Sequence, residues 1–324
     1  MKVVITGGTG FVSLNLAAVL LAHGHCVTLF DREPVSAAAQ QAFSDHAGML
    51  KAIPGDVTDQ AAIDAVIAAG CEVLVLGAAI TADAARDASD PATILQVNLL
   101  AQTAALQAAR RHDVRRVIYL SSAAAYGASG QRFPLLEEDT PCDPVSLYAI
   151  SKFASERALA RLAGLWDRDV LSVRLSAVFG RFERLGGLRD TPSPQAQILA
   201  AFDRQVPAIL PSPGVKDWVY ARDVAEAVTL LIEADRPRHR LYNISTGTPW
   251  SALRWGEAFA ARHPGCECRL ATLGEPANVD NGPERAPLSV ERMAQEFGWR
   301  ARFGCAESVT DLGDWWLQHR RNVP

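Results

Sequence analysis

The chain has 324 residues, of which 21% are charged, and its formal net charge is −4. This length allows one large domain or two closely joined ones, and the charge balance gives no basis for binding nucleic acid or an anionic membrane surface. No uninterrupted apolar run approaches about 18 residues, so we expect no membrane span. The N-terminus enters a strand pattern without the features of a secretion signal, which makes the cytoplasm the expected location.

Six cysteines are scattered along the chain, without a Cys-x-x-Cys motif and without a histidine at ligand spacing. Cys266 and Cys268 form the one close pair in the sequence. Two incidental thiols at the start of a strand explain this pair better than a metal or redox site does. We therefore predict no metal.

The chain begins with a β-branched run, followed by glycines and by Phe11 to His23, which is apolar at helical spacing. This order is typical of a buried strand, a tight turn and a helix. Gly7 and Gly10 would allow close backbone approach, with the N–H groups of Phe11 and Val12 at the helix start directed at a pyrophosphate. The pattern predicts a phosphate-binding loop, and a strand, turn and helix without a ligand is the alternative.

The second predicted strand runs from His25 to Asp31 and ends in a carboxylate. Asp31 follows the glycine loop by about 20 residues, the spacing at which a carboxylate meets the adenosine ribose of a dinucleotide. One departure is Ser13, which stands where the fingerprint has a third glycine for close helix–strand packing. Because serine adds little bulk, we expect a small shift of the helix and a retained site.

The segment after Asp31 is rich in alanine and glutamine and predicts a short helix or a loop, and Met49 to Pro54 predicts the third strand. Asp56 follows that strand and has two possible roles. It could accept a hydrogen bond from an adenine amino group, or it could cap a helix over Gln60 to Ala69, for which Thr58 is the better cap. Both roles remain open from the sequence.

A buried strand is predicted over Glu72 to Ala79, and its last residues, Ala78 and Ala79, are small enough to lie against a flat cofactor. A long helix over Asp90 to His112 and a strand over Arg116 to Ser122 follow. This regular alternation predicts a doubly wound parallel sheet, with the site along the carboxyl ends of the strands.

Ser121 and Ser122 stand at one of those carboxyl ends, and Tyr148 and Lys152 open a helix that extends to about Gly164. The i, i+4 spacing places the phenol and the ammonium on one helix face, one turn apart. A nearby ammonium favours the ionised phenol, as a proton acceptor requires. A chance surface pair is the alternative for an isolated Tyr-x-x-x-Lys, but this pair follows a complete nucleotide-binding half-fold.

The C-terminal half continues with a helix predicted over Ser193 to Gln205, capped by its serine with a proline in the first turn. Trp218 and Tyr220 occupy alternate positions of a short strand and are interpreted as packing at a domain junction. Asp223 to Ala234 predicts a helix that returns to the nucleotide-binding half.

Taken in order, these motifs resemble the extended short-chain dehydrogenase/reductases of the NAD-dependent epimerase/dehydratase type. The resemblance implies an α/β fold with a Rossmann-type domain over residues 1–175 and a smaller C-terminal α/β substrate domain over 176–324, of which 215–245 returns to the Rossmann sheet. It also implies a homodimer built on a four-helix bundle. The motifs are Thr6 to Phe11, Asp31, Asp56-Val57, Ser121-Ser122, Tyr126-Gly127, Tyr148-x-x-x-Lys152, Arg174 to Gly180, Lys216 to Asp223 and Tyr242 to Ser245.

The same resemblance implies roles for individual residues. Tyr148 would be the catalytic base, Lys152 would hold the nicotinamide ribose, and Ser122 would bond the reacting oxygen. Asp31 would repel a 2′-phosphate and favour NAD over NADP, a preference that Arg32 weakens. The full set implied at the cofactor is Gly7, Gly10, Phe11, Val12, Asp31, Arg32, Asp56, Val57, Ala78, Ala79, Asn98, Ser121, Tyr148 and Lys152.

Several departures from the family pattern narrow the activity. The Asp-Glu pair of sugar-nucleotide dehydratases is replaced by Ala123 and Ala124, so the acid that expels water is missing. Ala177 stands where sugar-nucleotide members have asparagine, and Lys216 stands where they have arginine, which removes bidentate phosphate binding. Leu76 replaces a usual histidine. These departures argue against a dehydratase and against a nucleoside diphosphate handle.

We therefore expect a polar small-molecule substrate, with a sugar acid as one hypothesis because residues 180–189 carry three arginines; solvated loop charges are the alternative. The main interpretation is NAD-dependent oxidation of a secondary alcohol on a sugar, sugar acid or similar compound. A nucleotide-sugar 4-epimerase that recycles NAD, and a non-catalytic NAD-binding regulatory protein, are the alternatives. The candidate substrate residues are Thr81, Ala123, Ser176, Arg181, Arg184 and Lys216.

Overall fold

The computed structural model describes residues 1–183, 185 and 190–319. The strands are β1 (Lys2–Thr6), β2 (Cys26–Asp31), β3 (Leu50–Pro54), β4 (Val73–Leu76), β5 (Arg116–Ser122), β6 (Val170–Leu175), β7 (Val178–Phe179), β8 (Ala208–Leu210), β9 (Val215–Lys216), β10 (Val219–Tyr220), β11 (Leu241–Ile244), β12 (Trp250–Ser251) and β13 (Cys268–Leu270). The helices are α1 (Phe11–Ala22), α2 (Ala37–Ala42), α3 (Gln60–Ala68), α4 (Ala84–Ser89), α5 (Pro91–Leu95), α6 (Ala101–Arg111), α7 (Leu147–Trp166), α8 (Pro194–Asp203), α9 (Ala221–Glu233), α10 (Ala252–Arg262), α11 (Glu291–Phe297) and α12 (Cys305–His319).

A parallel sheet of seven strands, in the order β11-β6-β5-β4-β1-β2-β3, forms the centre of the described chain. The order reverses between β1 and β4, so the carboxyl ends of these neighbours open the crevice where α/β proteins bind ligands. One apolar core cluster packs α1 and α9 against one face of the sheet, and another packs α3, α6 and α7 against the other. The predicted doubly wound Rossmann-type sheet is confirmed.

A third apolar cluster lies outside the sheet and contains residues of α8, α10 and α12. Trp255 and Phe259 of α10 are fully buried in it, with their rings stacked 5.2 Å apart. The main sheet and this cluster are joined through the chain around β10, where Tyr220 is buried. The division of the chain near residue 175 into two domains remains a prediction.

Most predicted elements are present with ends shifted by a few residues, but the helix expected over 90–112 differs. It is divided into α5, a π-helical segment over Gln96–Leu100, and α6. Single π turns inside helices widen the backbone and are frequent at functional sites. This segment carries Asn98, whose contacts are described below.

Two local predictions need correction. The helix α3 is capped by Asp59, whose carboxylate accepts hydrogen bonds from the amides of Ala61 and Ala62; Thr58 and Asp56 are not its cap. The strand β4 ends at Leu76, and Gly77 directly after it donates to Thr6 O at the end of β1 at 3.1 Å. Among the described residues, no helix combines the length and the apolar character needed to cross a membrane.

Candidate active site

The loop between β1 and α1 makes close backbone contacts that only glycine permits. Gly7 has φ +64°, and a Cβ atom on it would lie 2.6 Å from Cα of Ala78, in the segment that follows β4. A Cβ on Gly8 would lie 2.7 Å from Cα of Leu29 in β2. Gly10 caps α1 with extended backbone and no side-chain cap bond, so the positive end of the helix dipole faces the crevice without a side-chain capping group.

We expect Gly7→Ala to destabilise the protein and to weaken NAD binding, and Gly24→Ala supplies a matched control. Both glycines have positive φ, but a Cβ on Gly24 would meet nothing within 4 Å. Gly24→Ala should therefore lower the free energy of unfolding only by the strain of an alanine at positive φ, about 1–2 kcal/mol. Gly7→Ala should cost more because the loop must move away from Ala78. Urea unfolding and NAD titration of both variants measure the difference, and equal losses would contradict the argument.

The missing third glycine is explained by the neighbouring strand. Ser13 is buried, and its Oγ lies 3.1 Å from the position that a Cβ on Gly77 would take. That Cβ would also lie 2.8 Å from the carbonyl oxygen of Thr6. Gly77, directly after β4, therefore supplies the space that the fingerprint normally obtains from the helix. Sequence analysis missed this residue, although its place beside the small pair Ala78-Ala79 was visible.

Asp31 ends β2 with a buried carboxylate that is held by backbone amides. It accepts from Thr9 N–H at 3.0 Å and from Glu33 N–H at 3.1 Å, which fixes it against the glycine loop. Arg32 lies beside Asp56, with Nη1 3.6 Å from Oδ2. Burial acts to raise the pKa of Asp56, but hydrogen bonds from Thr58 and the charge of Arg32 together lower it. The carboxylate of Asp56 is thus ionised at the end of β3, beside Val57.

These donors and acceptors fit an adenine dinucleotide. The glycine loop offers backbone close to a helix N-terminus for the pyrophosphate, and the carboxylate of Asp31 stands at the end of the next strand. Ala78 and Ala79 come one residue after β4, which neighbours β1 on the side away from β2, and their small side chains leave room. When bound there, NAD would supply a hydride acceptor at its nicotinamide ring.

Asn98 positions the segment after β4 and does so from the π-helical turn. Its Oδ1 accepts from Ile80 N–H at 2.7 Å, and its Nδ2 donates to Ile80 O at 2.9 Å and to Ser151 Oγ at 3.1 Å. The Ser155 hydroxyl donates to its backbone oxygen at 2.7 Å. Gln102, which sequence analysis missed, donates from Nε2 to Ala78 O at 3.1 Å. Asn98 therefore ties the crevice wall to α7.

Ser122 and Ser121 end β5 but serve different faces of the sheet. Ser122 is half-buried, and its Oγ accepts from Ala124 N–H at 3.1 Å at the start of a 3-10 turn. Ser121 is buried and its hydroxyl donates to Glu156 at 2.5 Å. The side chain of Ser121 therefore belongs to a buried polar network with Glu156, and its contact with the cofactor stays a prediction.

Tyr148 and Lys152 lie in the first turns of α7, which Ser146 caps by accepting from Ala149 N–H. The Lys152 ammonium is buried, donates to Leu120 O at 2.7 Å, and lies 5.8 Å from the centre of the Tyr148 ring. Burial lowers the pKa of Lys152 to about 7, and the charge of Glu156 opposes that shift. The predicted proximity of phenol and ammonium is present.

Beyond β6, a cluster of polar side chains lies next to Ser122, because Ser122 pairs with Leu175 in the sheet. The Ser176 hydroxyl donates to Asp217 O at 2.8 Å and accepts from Arg285 Nη2 at 2.7 Å. Arg285 Nη1 also lies 2.9 Å from the buried Asp217 carboxylate. This cluster places cationic groups one strand away from the predicted catalytic serine.

Lys216 belongs to the same cluster. Its ammonium donates to Asn281 O at 2.7 Å and lies 4.9 Å from the centre of the Trp218 ring. Burial, together with the charge of Arg285, lowers the pKa of Lys216 to about 8, and the charges of Asp280, Glu284 and Asp217 oppose that shift. The two cations are therefore close enough to repel each other, and a bound anion would relieve that repulsion.

A family model described as the NAD dependent epimerase/dehydratase family matches residues 3–245. The chain belongs to this family. It is 28% identical over 316 residues to a UDP-glucose 4-epimerase from Corynebacterium glutamicum, covering 92% of this chain and 90% of that protein. It is 23% identical over 334 residues to a dTDP-glucose 4,6-dehydratase from Streptomyces niveus, covering 99% and 94%. The crystal structure of a UDP-glucose 4-epimerase from Bifidobacterium longum, in complex with NAD⁺ and UDP, matches with a TM-score of 0.80 at 22% identity over all of both chains.

Membership in this family confirms the resemblance inferred from the motifs and agrees with the predicted NAD dependence. Arg181 forms a double hydrogen bond with Asp311 of α12, at 2.9 and 2.6 Å, so its guanidinium is already paired with a carboxylate. Its contact with an anionic substrate stays a prediction. Arg184 and Arg189 of the same loop lie outside the described residues.

The remaining candidate substrate residues take these positions. The Thr81 carbonyl accepts from Asp190 N–H at 3.4 Å, which joins the segment after β4 to the substrate half. Ala123 is buried at the start of the turn that follows Ser122. Arg285 is the functional candidate that sequence analysis missed. It lies 69 residues beyond Lys216 in an irregular segment, so no local pattern pointed to it.

Proposed function

We propose that this protein is an NAD-dependent nucleotide-sugar 4-epimerase. The observation that carries the proposal is Arg285, which donates to Ser176 one strand from Ser122, with the charge of Lys216 nearby. Two neighbouring cations, of which Arg285 is also paired with Asp217, suit the diphosphate of a nucleotide sugar better than an uncharged sugar. The sequence-based objection to a diphosphate handle considered Lys216 without Arg285. The similarity to the Corynebacterium UDP-glucose 4-epimerase supports the same conclusion. The epimerase proposal replaces the interpretation favoured from the sequence, which was net oxidation of a free sugar or sugar acid.

Each residue of the site has a separate role in the proposed epimerisation. Tyr148 takes the proton from the hydroxyl at C4 of the sugar, and Ser122 donates a hydrogen bond to the same oxygen. Lys152 donates to the nicotinamide ribose, and its positive charge favours the ionised phenol. Lys216 and Arg285 hold the diphosphate while the sugar turns to present its other face. Bound NAD, held by the glycine loop and Lys152, would supply the acceptor for the C4 hydride and the hydride that returns to the opposite face. Tyr148 then returns the proton to the oxygen, and with that hydride return the configuration at C4 is inverted.

A dehydratase needs in addition an acid that protonates a leaving hydroxyl. Ala123 and Ala124 occupy the positions where sugar-nucleotide dehydratases of the resembled type carry an Asp-Glu pair. Alanine can neither donate nor accept a proton through its side chain. This absence from the motif favours the epimerase over the dehydratase activity of other family members.

The test is to incubate the purified protein with NAD and a panel of UDP-hexoses, dTDP-hexoses and free sugar acids. We expect interconversion of the C4 epimers of a nucleotide sugar, followed by NMR, with no net rise in reduced nicotinamide absorbance. Reduced nicotinamide formed in proportion to product would show a dehydrogenase. Loss of water from the hexose would show a dehydratase, and the absence of turnover with the whole panel would favour the regulatory alternative.

Arg285→Ala should raise KM for the nucleotide sugar by about 10- to 100-fold, because charge-assisted hydrogen bonds contribute about 1.5–3 kcal/mol each. Arg285→Lys keeps a charge beside the buried Asp217 and should lose less. The control is Arg300→Ala, whose side chain is 63% exposed and pairs with Glu291. Initial rates and inhibition by UDP measure the effect, and an unchanged KM in Arg285→Ala would remove the diphosphate assignment.

We also propose the homodimer through α6, α7 and their partner copies. Leu100 is 53% exposed, Ile150 is 40% exposed and Leu165 is 57% exposed, all in or beside these helices. Large apolar side chains exposed on adjacent helices favour burial against a second copy. Light scattering of the purified protein should give twice the chain mass, and Ile150→Glu should shift it towards the monomer.

A further inference from the structure

A cluster of possible metal-binding side chains lies beside the amino ends of the strands, at the end of the sheet opposite the crevice. His23 follows α1, His25 precedes β2, and Glu233 ends α9. Helix α1 begins at the glycine loop and has 12 residues, so His23 lies about 18 Å along the helix axis from that loop. The cluster is therefore separate from the active site and independent of the proposed reaction.

The three side chains converge on one oxygen atom. Glu233 Oε1 lies 3.0 Å from His23 Nδ1 and 2.9 Å from His25 Nε2. The three potential ligand atoms all lie within 4.8 Å of one another. In a tetrahedral zinc site with bonds near 2.0–2.1 Å, ligand atoms are separated by about 3.3 Å. The two N···O distances are close to that value, so small side-chain rotations would complete the ligand set.

The electrostatics and access also suit a cation. Burial acts to raise the pKa of Glu233, but hydrogen bonds from His25 and His23 lower it, so the carboxylate is ionised. His25 is nearly buried and held on its other ring nitrogen by the Met1 amino group at 3.1 Å. His23 is 41% exposed and leaves the cluster open to solvent. His25 Nδ1 accepts from the Met1 ammonium, whereas a metal-binding histidine donates from its other ring nitrogen, so binding of an ion at Nε2 requires the proton to move from the Met1 amino group to Nδ1.

We propose that His23, His25 and Glu233 form a binding site for a divalent transition ion, with Zn²⁺ as the best match. Two imidazoles and one carboxylate suit zinc, nickel, cobalt or copper, whereas Mg²⁺ and Ca²⁺ prefer oxygen ligands. The ion takes the place of the protons that the imidazoles share with Glu233, and these are released to solvent. Water completes the coordination. The ion joins α1, β2 and α9 at the end of the sheet, and its consequence is added stability.

From the sequence no metal is predicted, because it has no Cys-x-x-Cys motif and no histidine at ligand spacing to the cysteines. His23-x-His25 becomes a ligand pair only with Glu233, which lies 208 residues beyond His25. This proposal revises that expectation. It rests on no part of the proposed epimerase activity, so the two can fail separately.

The experiment uses tag-free protein treated with a chelator and then dialysed. Calorimetric titration with ZnCl₂ should show one ion bound per chain, and the melting temperature should rise with the logarithm of zinc concentration. His23→Ala removes an exposed ligand and should weaken binding by at least about tenfold. Glu233→Gln should do the same, and MgCl₂ should have no effect on the native protein.

The matched control is His112→Ala. His112 Nε2 also meets a carboxylate, that of Asp64 at 3.1 Å, but Arg111 binds the same carboxylate and would repel a cation. This variant should bind zinc as the native protein does. Absence of zinc binding in the native protein would overturn the proposal, and so would binding that His23→Ala and Glu233→Gln leave unchanged.

Discussion

Tyr148→Phe is expected to lower kcat by about 10²- to 10⁴-fold, the usual contribution of a positioned acid–base group. The ring remains on α7 within the same packing, but the oxygen proposed to accept the C4 proton is gone. Lys152 keeps its bond to Leu120 O, so NAD binding should change little. Initial rates of C4 epimerisation and calorimetric titration with NAD separate the two effects.

The control for this prediction is Tyr242→Phe. Its hydroxyl donates to Glu296 at 2.8 Å and accepts from His239 N–H at 3.0 Å, beside α11 and away from the carboxyl ends of the strands. Loss of these bonds should cost about 1 kcal/mol of stability and leave kcat unchanged. If Tyr148→Phe kept more than a tenth of the native kcat, Tyr148 would not be the base.

The features of the site that were predicted from the sequence depend on residues that lie close together along the chain. The glycine loop, Asp31 and the Tyr148–Lys152 spacing each lie within one strand–turn–helix unit or one helix turn. Periodicity and turn chemistry describe such units well. The alternation of these units also led to the parallel sheet. Ser13 shows the limit, because its compensating residue, Gly77, follows a different strand, β4, and lies 64 residues further along the chain.

The parts that the sequence did not predict depend on contacts between distant segments. Arg285 meets Ser176 across 109 residues, and the choice of a substrate class changed with it. Arg181 looked available in its loop, but Asp311 binds it across 130 residues. A charged residue offers no periodic pattern from which its partner could be read. Ionic partners in a folded chain therefore have to be seen in three dimensions.

The second large expected effect is a loss of stability when the buried ion pair between Glu156 of α7 and Arg174 of β6 is broken. Glu156 is one turn beyond Lys152 on α7 and forms a double hydrogen bond with Arg174, including Nη2 to Oε2 at 2.7 Å. Both side chains are almost fully buried, at 4% and 3% exposure. Glu156→Gln would leave the Arg174 charge uncompensated in the core. We expect a loss of about 3–5 kcal/mol in the free energy of unfolding, measured in urea.

The double variant Glu156→Met, Arg174→Met distinguishes this structural cost from an effect on catalysis. Removing both buried charges should restore most of the stability, since apolar side chains of similar size replace buried ion pairs at little cost. Lys152, however, would still lack the negative charge that opposes the lowering of its pKa by burial. Only the protonated amine carries the charge that holds the ribose, so NAD affinity should fall as pH rises through the pKa of Lys152.

In the native protein that fall is expected near pH 7, where the pKa of Lys152 lies. The double variant should lose NAD affinity at lower pH, because its Lys152 gives up the proton more readily. NAD titrations between about pH 5.5 and 8.5 measure the pH at which affinity falls by half in the native protein and in the double variant. A stable double variant with the native midpoint would assign Glu156 to folding alone. A lower midpoint would show that Glu156 also keeps the Lys152 amine protonated.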